Sequence, residues 1–234
     1  MRSLLAASFV AFTMMLSFSA HAEEAASPAI MAVEKTPFHV PVFRNDLVRM
    51  LSVYIPAGRT SPYHTHSIDQ ASVFVRPAKT RAQVLGEPPV DRDIIPGTVA
   101  FADYAKKPLT HQVSNIDSEP FWLVGAEIMY PEPGRFTPSS RAEVPDYKLV
   151  LDNDRIRAWR IVLEPGQSAA AITQKAPGVR IVVDGGELIQ SEAGRPDQNM
   201  ILKVGDFFWQ DAGATRAVRN SGASRIEFVE FELK

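Results

Sequence analysis

Two histidines separated by one residue are the feature of this sequence that most directly indicates chemistry. His64 and His66 flank Thr65, and residues two apart on an extended strand point to the same face. His111 lies further along the chain, where a neighbouring strand would bring a third imidazole to the pair. Neutral imidazoles bind divalent first-row metals. The spacing predicts a site for Fe, Mn, Ni, Cu or Zn, with metal-free structural histidines as the alternative.

Residues close to this pair are candidates for acid–base chemistry. Tyr63 and Asp69 are neighbours of the histidine pair in the chain, and Glu127 lies in an otherwise apolar stretch. Glu127 is interpreted as a base or as a partner of a ligand, with exposure to solvent as the alternative. Gln70 shares the strand parity of the two histidines, so on a continuous strand its side chain lies on the same face. His39 has no partner at ligand spacing and is interpreted as structural.

The composition excludes several other kinds of site. The 234 residues include no cysteine, so thiolate nucleophiles, Fe–S clusters and cysteine-type zinc sites are impossible. Lys and Arg number 25 against 27 Asp and Glu, without a run of like charges that would mark a nucleic-acid partner. The expected partner is a small molecule.

The first 22 residues have the layout of a signal peptide. A basic Arg2 precedes an uncharged, mostly apolar stretch, and Ala20 and Ala22 supply the small residues of a cleavage site. The stretch is shorter than a membrane-spanning helix. The sequence therefore predicts a periplasmic or secreted protein that begins at Glu23 and has no membrane span after cleavage.

An internal repeat divides the rest of the chain into two copies. Asn45, Gly58 and Gly97 recur at one constant offset in the second half, as Asn153, Gly166 and Gly205. Each copy consists of short alternating stretches punctuated by Pro and Gly, without clear helical periodicity, which is typical of an all-β sandwich or barrel. The predicted boundaries are residues 23–130 for the first copy, 131–144 for a Pro- and Ser-rich linker, and 145–234 for the second.

Two groups of residues resemble the motifs of the cupin superfamily. They are Gly58, His64, His66 and Gln70 in the first motif, and Gly97, His111 and Asn115 in the second. The resemblance implies a bicupin, which has two tandem antiparallel barrels of the jelly-roll type and low helix content. It also implies that His64, His66 and His111 are metal ligands. Gln70 stands where the family usually has a glutamate ligand, so the resemblance makes it a candidate fourth ligand.

The second copy keeps the scaffold of the repeat but lacks the ligands. Ile172 and Gln174 occupy the places of the paired histidines, and Arg216 occupies the place of His111. The resemblance therefore implies a metal in the N-terminal barrel alone. Arg216, with Arg180, is a candidate for binding an anion at the vacated position, because a buried guanidinium needs a partner. Solvated arginines at the barrel mouth are the alternative.

The predicted metal site and the cupin resemblance are compatible with two classes of function. Family resemblance suggests a metal-dependent oxidoreductase, a dioxygenase acting on a small anionic or enolisable molecule, ahead of an isomerase or a decarboxylase. The other class is a non-catalytic protein that binds a metal or a small ligand. Neutral ligands would leave the metal its full positive charge, so an anionic ligand is expected in either class. The second barrel could serve as a packing partner or as the contact of a homo-oligomer.

Overall fold

The computed structural model describes residues 28–234, and nearly all of the regular structure in that range is β-strand. One turn of 3-10 helix, Val33–Lys35, is the single helical element there. The low helix content predicted from the sequence is therefore confirmed. The predicted signal peptide lies outside the described residues. Within them, no helix has the length and apolarity needed to cross a membrane.

Ten strands form the N-terminal barrel. In chain order they are Met31–Ala32 (β1), His39–Arg44 (β2), Val48–Ile55 (β3), His64–His66 (β4), Gln70–Phe74 (β5), Ala78–Val84 (β6), Val90–Ile94 (β7), Val99–Ala102 (β8), Leu109–Asn115 (β9) and Phe121–Ile128 (β10). They make two facing sheets, an inner sheet of order β2-β3-β10-β5-β8 and an outer sheet of order β1-β4-β9-β6-β7. Neighbouring strands are antiparallel, except that β1 runs parallel to β4.

Nine strands form the C-terminal barrel in a similar way. They are Tyr147–Asp152 (β11), Ile156–Leu163 (β12), Ser168–Thr173 (β13), Gly178–Asp184 (β14), Gly186–Glu192 (β15), Gln198–Leu202 (β16), Phe207–Gln210 (β17), Thr215–Asn220 (β18) and Ile226–Leu233 (β19). The inner sheet has the order β11-β12-β19-β14-β17, and the outer sheet has the order β13-β18-β15-β16. The all-β, two-barrel architecture predicted from the sequence is confirmed.

Because side chains alternate along a strand, the apolar residues of one strand divide between the interior of its own barrel and the layer between the two barrels. On β3, Leu51, Val53 and Ile55 point into the N-terminal barrel. Val48 and Met50 have the opposite parity and pack against the inner sheet of the other barrel. The two inner sheets thus meet face to face over one continuous apolar layer. This leaves the odd-numbered positions of β3 and β10 to line the interior that holds the functional site.

The repeated asparagines fix the same turns in both barrels. The side-chain oxygen of Asn45 accepts hydrogen bonds from two backbone amides at 2.8 and 2.9 Å, and Asn153 does the same at the same distances. Asn115 donates its amide to two backbone carbonyls at 2.8 and 2.9 Å, as does Asn220. The repeat detected in the sequence is therefore a set of turn-forming contacts.

Two of the repeated glycines serve the packing of one barrel on the other. Gly97 and Gly205 have φ angles of 78° and 82°, in the left-handed region that favours glycine. A Cβ atom on Gly97 would stand 2.3 Å from a carboxylate oxygen of Glu227, and one on Gly205 would stand 2.2 Å from the Trp122 ring. Each barrel thus places a glycine where a side chain of the other barrel packs against its backbone.

Candidate metal centre in the N-terminal barrel

Four histidines from three strands meet inside the N-terminal barrel. His64 and His66 lie on β4, and their shared strand parity puts both rings on one side. His111 on β9 is the register partner of His64, and its ring centroid lies 4.7 Å from that of His64 and 5.1 Å from that of His66. His39, the first residue of β2, brings a fourth ring to within 4.3 Å of His64.

The ring nitrogens of three of these histidines are close together, and each of the three rings has a nitrogen without a hydrogen-bond partner among the described residues. Ligand atoms of His39, His64 and His66 all lie within 4.8 Å of one another. His64 donates through Nδ1 to the carbonyl of Pro62 at 2.9 Å, which leaves its Nε2 as the unprotonated nitrogen. That Nε2, together with Nδ1 of His39 and Nδ1 of His66, is buried without a hydrogen-bond partner among the described residues.

Burial keeps the cluster in the neutral form that metals bind. Desolvation, reinforced by the neighbouring imidazoles, lowers the pKa of His39 to about 3 and that of His66 to about 2. It also lowers the pKa of His111 to about 3 and that of His64 below its ordinary value. Unpaired buried nitrogens are rare in proteins and call for a partner. The donor set fits a divalent first-row metal.

Gln70 presents an additional oxygen to the barrel interior. Its Nε2 donates to Ser72 Oγ at 2.9 Å, whereas its buried Oε1 has no partner in the described range. Gly125, on the neighbouring strand β10, makes room for this amide, since a Cβ there would stand 2.7 Å from Gln70 Nε2. The Gln70 side chain also acts on His66, whose pKa it raises against the larger lowering by burial. Gln70 is thus held in the interior beside the cluster, as its strand parity predicts.

Glu127 is fully buried beside Gln70, so exposure to solvent is not its role. The two residues are register partners on β10 and β5, and Glu127 has 0% exposure. Its Oε2 accepts a hydrogen bond from Arg49 Nε, and Glu34 contacts the same guanidinium at 3.5 Å. Its Oε1 has no hydrogen-bond partner in the part of the chain that the structure describes. The carboxylate is therefore anchored through one oxygen and free at the other.

The structure gives Asp69 a different environment from the one expected of an acid–base group. Its Oδ2 forms an ion pair with Arg155 of the second barrel at 3.2 Å, and its Oδ1 accepts from the Ala105 amide at 3.0 Å. Both oxygens are thus engaged at the junction of the barrels, where a cleft of about 400 Å³ opens. Tyr63 is half-buried just before β4, and its carbonyl accepts from the Met31 amide at 3.0 Å.

Tyr104 and Arg92 complete the surroundings of the cluster and were not identified from the sequence. The Tyr104 ring stacks on His66 with centroids 4.6 Å apart and planes 24° apart. Burial raises the pKa of the Tyr104 hydroxyl, and the charge of Arg92 opposes that shift. The same charge lowers the pKa of His111 further. The sole signal for Tyr104 in the sequence is that its loop is longer than its counterpart in the second barrel.

The corresponding place in the C-terminal barrel is filled by ion pairs. Ile172 and Arg216 are register partners there, as His64 and His111 are in the first barrel. Arg141, from the segment predicted as a linker, enters this interior with 0% side-chain exposure and pairs with Glu230 and Glu232. The cavity that remains measures about 10 Å³, which is space for roughly one water molecule.

The arginines proposed from the sequence as anion ligands already have partners in this barrel. Arg180 donates to Glu230 at 2.7 Å, and Arg216 donates to Glu192 at 3.1 Å. Burial raises the pKa of Glu230, but the charges of Arg180 and Arg141 lower it to about 2, so its carboxylate is ionised. Carboxylates of the protein itself therefore pair with these arginines in place of a bound anion.

The comparisons place this arrangement within a known fold. No family model and no curated protein matches the sequence. A cupin 2 conserved barrel domain protein from Leptotrichia buccalis is 11% identical, with 83% of this chain and 88% of that chain covered and a TM-score of 0.50. Oxalate decarboxylase from Bacillus subtilis, a protein with Mn(II) centres, is 10% identical over 80% and 69% of the two chains, with a TM-score of 0.55.

A third solved structure is a variant of salicylate 1,2-dioxygenase from Pseudoaminobacter salicylatoxidans in complex with gentisate. It is 14% identical, with 80% of this chain and 69% of that chain covered and a TM-score of 0.55. At such identities the likeness shows the fold. The chain therefore has the fold of the cupin superfamily in its two-barrel form, as the motif resemblance implied. Of the two barrels, the N-terminal one carries the histidine cluster.

Proposed function

We propose that this protein is a metal-dependent enzyme of the oxygenase type that acts on a small anionic or enolisable molecule in the N-terminal barrel. The observation that carries the proposal is the set of buried ring nitrogens of His39, His64 and His66, close together and without hydrogen-bond partners among the described residues. Burying such groups unpaired is costly. A divalent metal would satisfy them, and when bound it would supply Lewis acidity and access to O2 chemistry.

The charges of the site support an anionic ligand. Four imidazoles and the amide of Gln70 are all neutral, so none of them reduces the positive charge of a bound ion. The exposed Arg92 adds its own positive field, which acts on both His111 and Tyr104. In a low-dielectric interior the attraction of an anion for these charges is much stronger than in water. A carboxylate or an enolate is therefore the favoured class of ligand.

Glu127 is the candidate base of this site. Arg49 holds one of its oxygens, and the other keeps free lone pairs beside Gln70. A carboxylate that is positioned through one oxygen and unpaired at the other is able to accept a proton from an enolisable substrate at Oε1. Tyr104, stacked on His66, closes this side of the cluster and limits the access of water.

The comparisons support the chemistry of small acids without fixing the reaction. The oxalate decarboxylase and the salicylate dioxygenase that share this fold both act, by their names, on small carboxylic acids. We place an oxygenase ahead of a decarboxylase on the family resemblance of the motifs alone, since the geometry of the site suits either reaction. Isomerase and decarboxylase activities should therefore be assayed beside oxygenase activity.

The test is ligand binding and O2 uptake by metal-loaded protein, with Gln70→Glu as the matched variant. The wild type should bind small carboxylates more tightly than the corresponding amides and consume O2 with its substrate. Gln70→Glu adds a negative charge at nearly constant size, so it should retain metal but bind the carboxylates more weakly and the amides equally. Equal affinity of both proteins for carboxylates would contradict the charge argument.

A second candidate function is non-catalytic binding of the metal itself. It is favoured by the depth of the cluster, since His64 has 0% and His66 has 4% exposure and the Tyr104 ring covers His66. A storage or carrier protein would release its metal to a chelator without turning over any of the acids tested. Chelator competition and the O2 assay on the same preparation distinguish the two candidates.

We also propose that the protein is exported. The support is the basic, apolar and small-residue layout of residues 1–22. N-terminal sequencing of protein from the extracytoplasmic fraction should begin at Glu23. Recovery of the full-length chain from the cytoplasm would contradict export.

A further inference from the structure

We propose that His39 is a fourth imidazole ligand of the metal, in the role that the cupin motif usually gives to a glutamate. The proposal rests on the metal site described above and adds a ligand from outside both motifs. Gln70 stands at the position of that glutamate and has lost its charge. His39 approaches the cluster from β2, at the edge of the inner sheet, and supplies a nitrogen donor instead.

The positions of the rings favour this assignment. Within the described part of the chain, the side chains whose ligand atoms lie within 4.8 Å of one another are His39, His64 and His66. The ring of His39 lies 4.3 Å from that of His64, closer than the 4.7 Å between His64 and His111. Its ring lies 6.2 Å from that of His66, against 5.1 Å for the ring of His111. His39 thus contacts the cluster mainly through His64, and its ligand atom still lies within 4.8 Å of those of both His64 and His66.

The environment of His39 differs from that of a structural core histidine. Its side chain is buried, with 5% exposure, yet Nδ1 has no hydrogen-bond partner among the described residues. Buried polar atoms are normally paired, so an unpaired one indicates an unseen partner. Nε2 of His64, the neighbouring ring, is unpaired as well. A metal ion shared by the two rings accounts for both atoms.

The backbone before His39 supplies an independent observation. Phe38 has a φ angle of 75° and is the one non-glycine residue with positive φ in the described range. An aromatic residue rarely adopts this conformation, and such strain is concentrated at functional sites. It is held in place because the Phe38 carbonyl accepts from the Tyr54 amide at 2.9 Å, and the His39 amide donates to the Thr36 carbonyl at 3.1 Å.

The strained residue determines where His39 points. After Phe38 the chain enters β2 with His39 buried and the next residue, Val40, 56% exposed. Alternation therefore directs the imidazole into the barrel and the valine to solvent. A functional need to place the His39 imidazole inside the barrel would explain why the strained conformation of Phe38 is retained.

The test is titration of metal-free protein with Co(II) alone, followed by its visible absorption and by competition with a chromophoric chelator. His39→Ala should weaken Co(II) binding by about 100-fold or more and change the absorption bands, because it removes a ligand. Gln70→Ala should weaken binding less, by roughly 10- to 100-fold, as expected for a residue that supports a ligand. Binding by His39→Ala within a few-fold of wild type, with unchanged bands, would overturn the proposal.

Two further measurements keep the outcome unambiguous. Thermal unfolding of each metal-free variant shows whether His39→Ala still folds, and if it does not, X-ray absorption of the zinc-loaded wild type and of His39→Asn decides. One imidazole fewer around zinc in the conservative variant His39→Asn than in the wild type supports the proposal, and an equal number in the two proteins overturns it. If the wild type binds neither Co(II) nor zinc, the metal site itself fails. If it binds both and His39→Ala does so equally well, the assignment of His39 alone fails.

Discussion

The amide of Gln70 lies directly over the backbone of Gly125, so closely that a Cβ atom on the glycine would stand 2.7 Å from Nε2. In the second barrel the repeat places Gly178 at the position of Gln70 and Glu230 at the position of Gly125. Large and small residues have thus exchanged places. One barrel has room for an amide oxygen beside its histidines, and the other has a carboxylate that neutralises arginines.

Replacing Gly125 with alanine should therefore push the Gln70 amide out of position. We expect a destabilisation of about 1–3 kcal/mol, as is usual when a packed interior receives an extra methyl group. We also expect weaker metal binding. Urea denaturation and a metal titration measure the two effects.

The double variant Gln70→Ala/Gly125→Ala supplies the control for this prediction. Without the amide the added methyl group has space, so the double variant should be no less stable than Gln70→Ala alone. Additive losses from the two substitutions would show that Gln70 and Gly125 are not coupled.

Acidification should destabilise the metal-free protein. Burial lowers the pKa of His39 and of His111 to about 3 and that of His66 to about 2, from an ordinary value of 6.5. Between these values the unfolded chain binds more protons than the folded one. The free energy of unfolding should therefore fall as the pH falls below about 6.5, by about 1.4 kcal/mol per pH unit for each of these histidines.

Urea denaturation at about pH 7 and about pH 5 measures this dependence. His66→Asn removes one titrating group and should make the dependence on pH shallower. A free energy of unfolding that stays constant or rises between pH 7 and pH 5 would show that the histidines are not buried in the neutral form.

The ion pairs of the C-terminal barrel should be essential to its stability. Arg141→Met leaves the buried carboxylates of Glu230 and Glu232 with one guanidinium fewer, and removing one partner of a buried pair costs about 3–5 kcal/mol. The matched control is Arg195→Met, since Arg195 pairs with Glu192 at 66% exposure, and an exposed pair contributes less than about 1 kcal/mol. Equal losses of stability for the two variants would contradict this role for Arg141.

The sequence predicted most of the fold because the fold depends on local pattern. The short alternating stretches predicted for each copy are strands in the structure, as at Val48–Ile55 and Phe121–Ile128. The repeat was visible because turns need Asn and Gly at fixed places. The paired His64 and His66 were visible because strand parity alone puts them on one face.

The parts that the sequence did not reveal depend on tertiary approach. His39 joins the cluster from an edge strand that no motif links to β4. Tyr104 reaches His66 from a loop, and loops carry no periodic signal. Arg141 lies in a Pro- and Ser-rich segment that is typical of an exposed linker, yet its side chain fills the interior of the second barrel. Each of these contacts joins residues whose separation along the chain gives no hint of proximity.

The measurement that tests the central claim most directly is the metal content of the purified protein after loading with divalent first-row metals, determined by elemental analysis. We predict one metal ion per chain for the wild type and for Arg216→Ala, and none for the His64→Ala/His66→Ala double variant. Two ions per chain, or retention of metal by the double variant, would contradict a single centre built on the histidines of the N-terminal barrel.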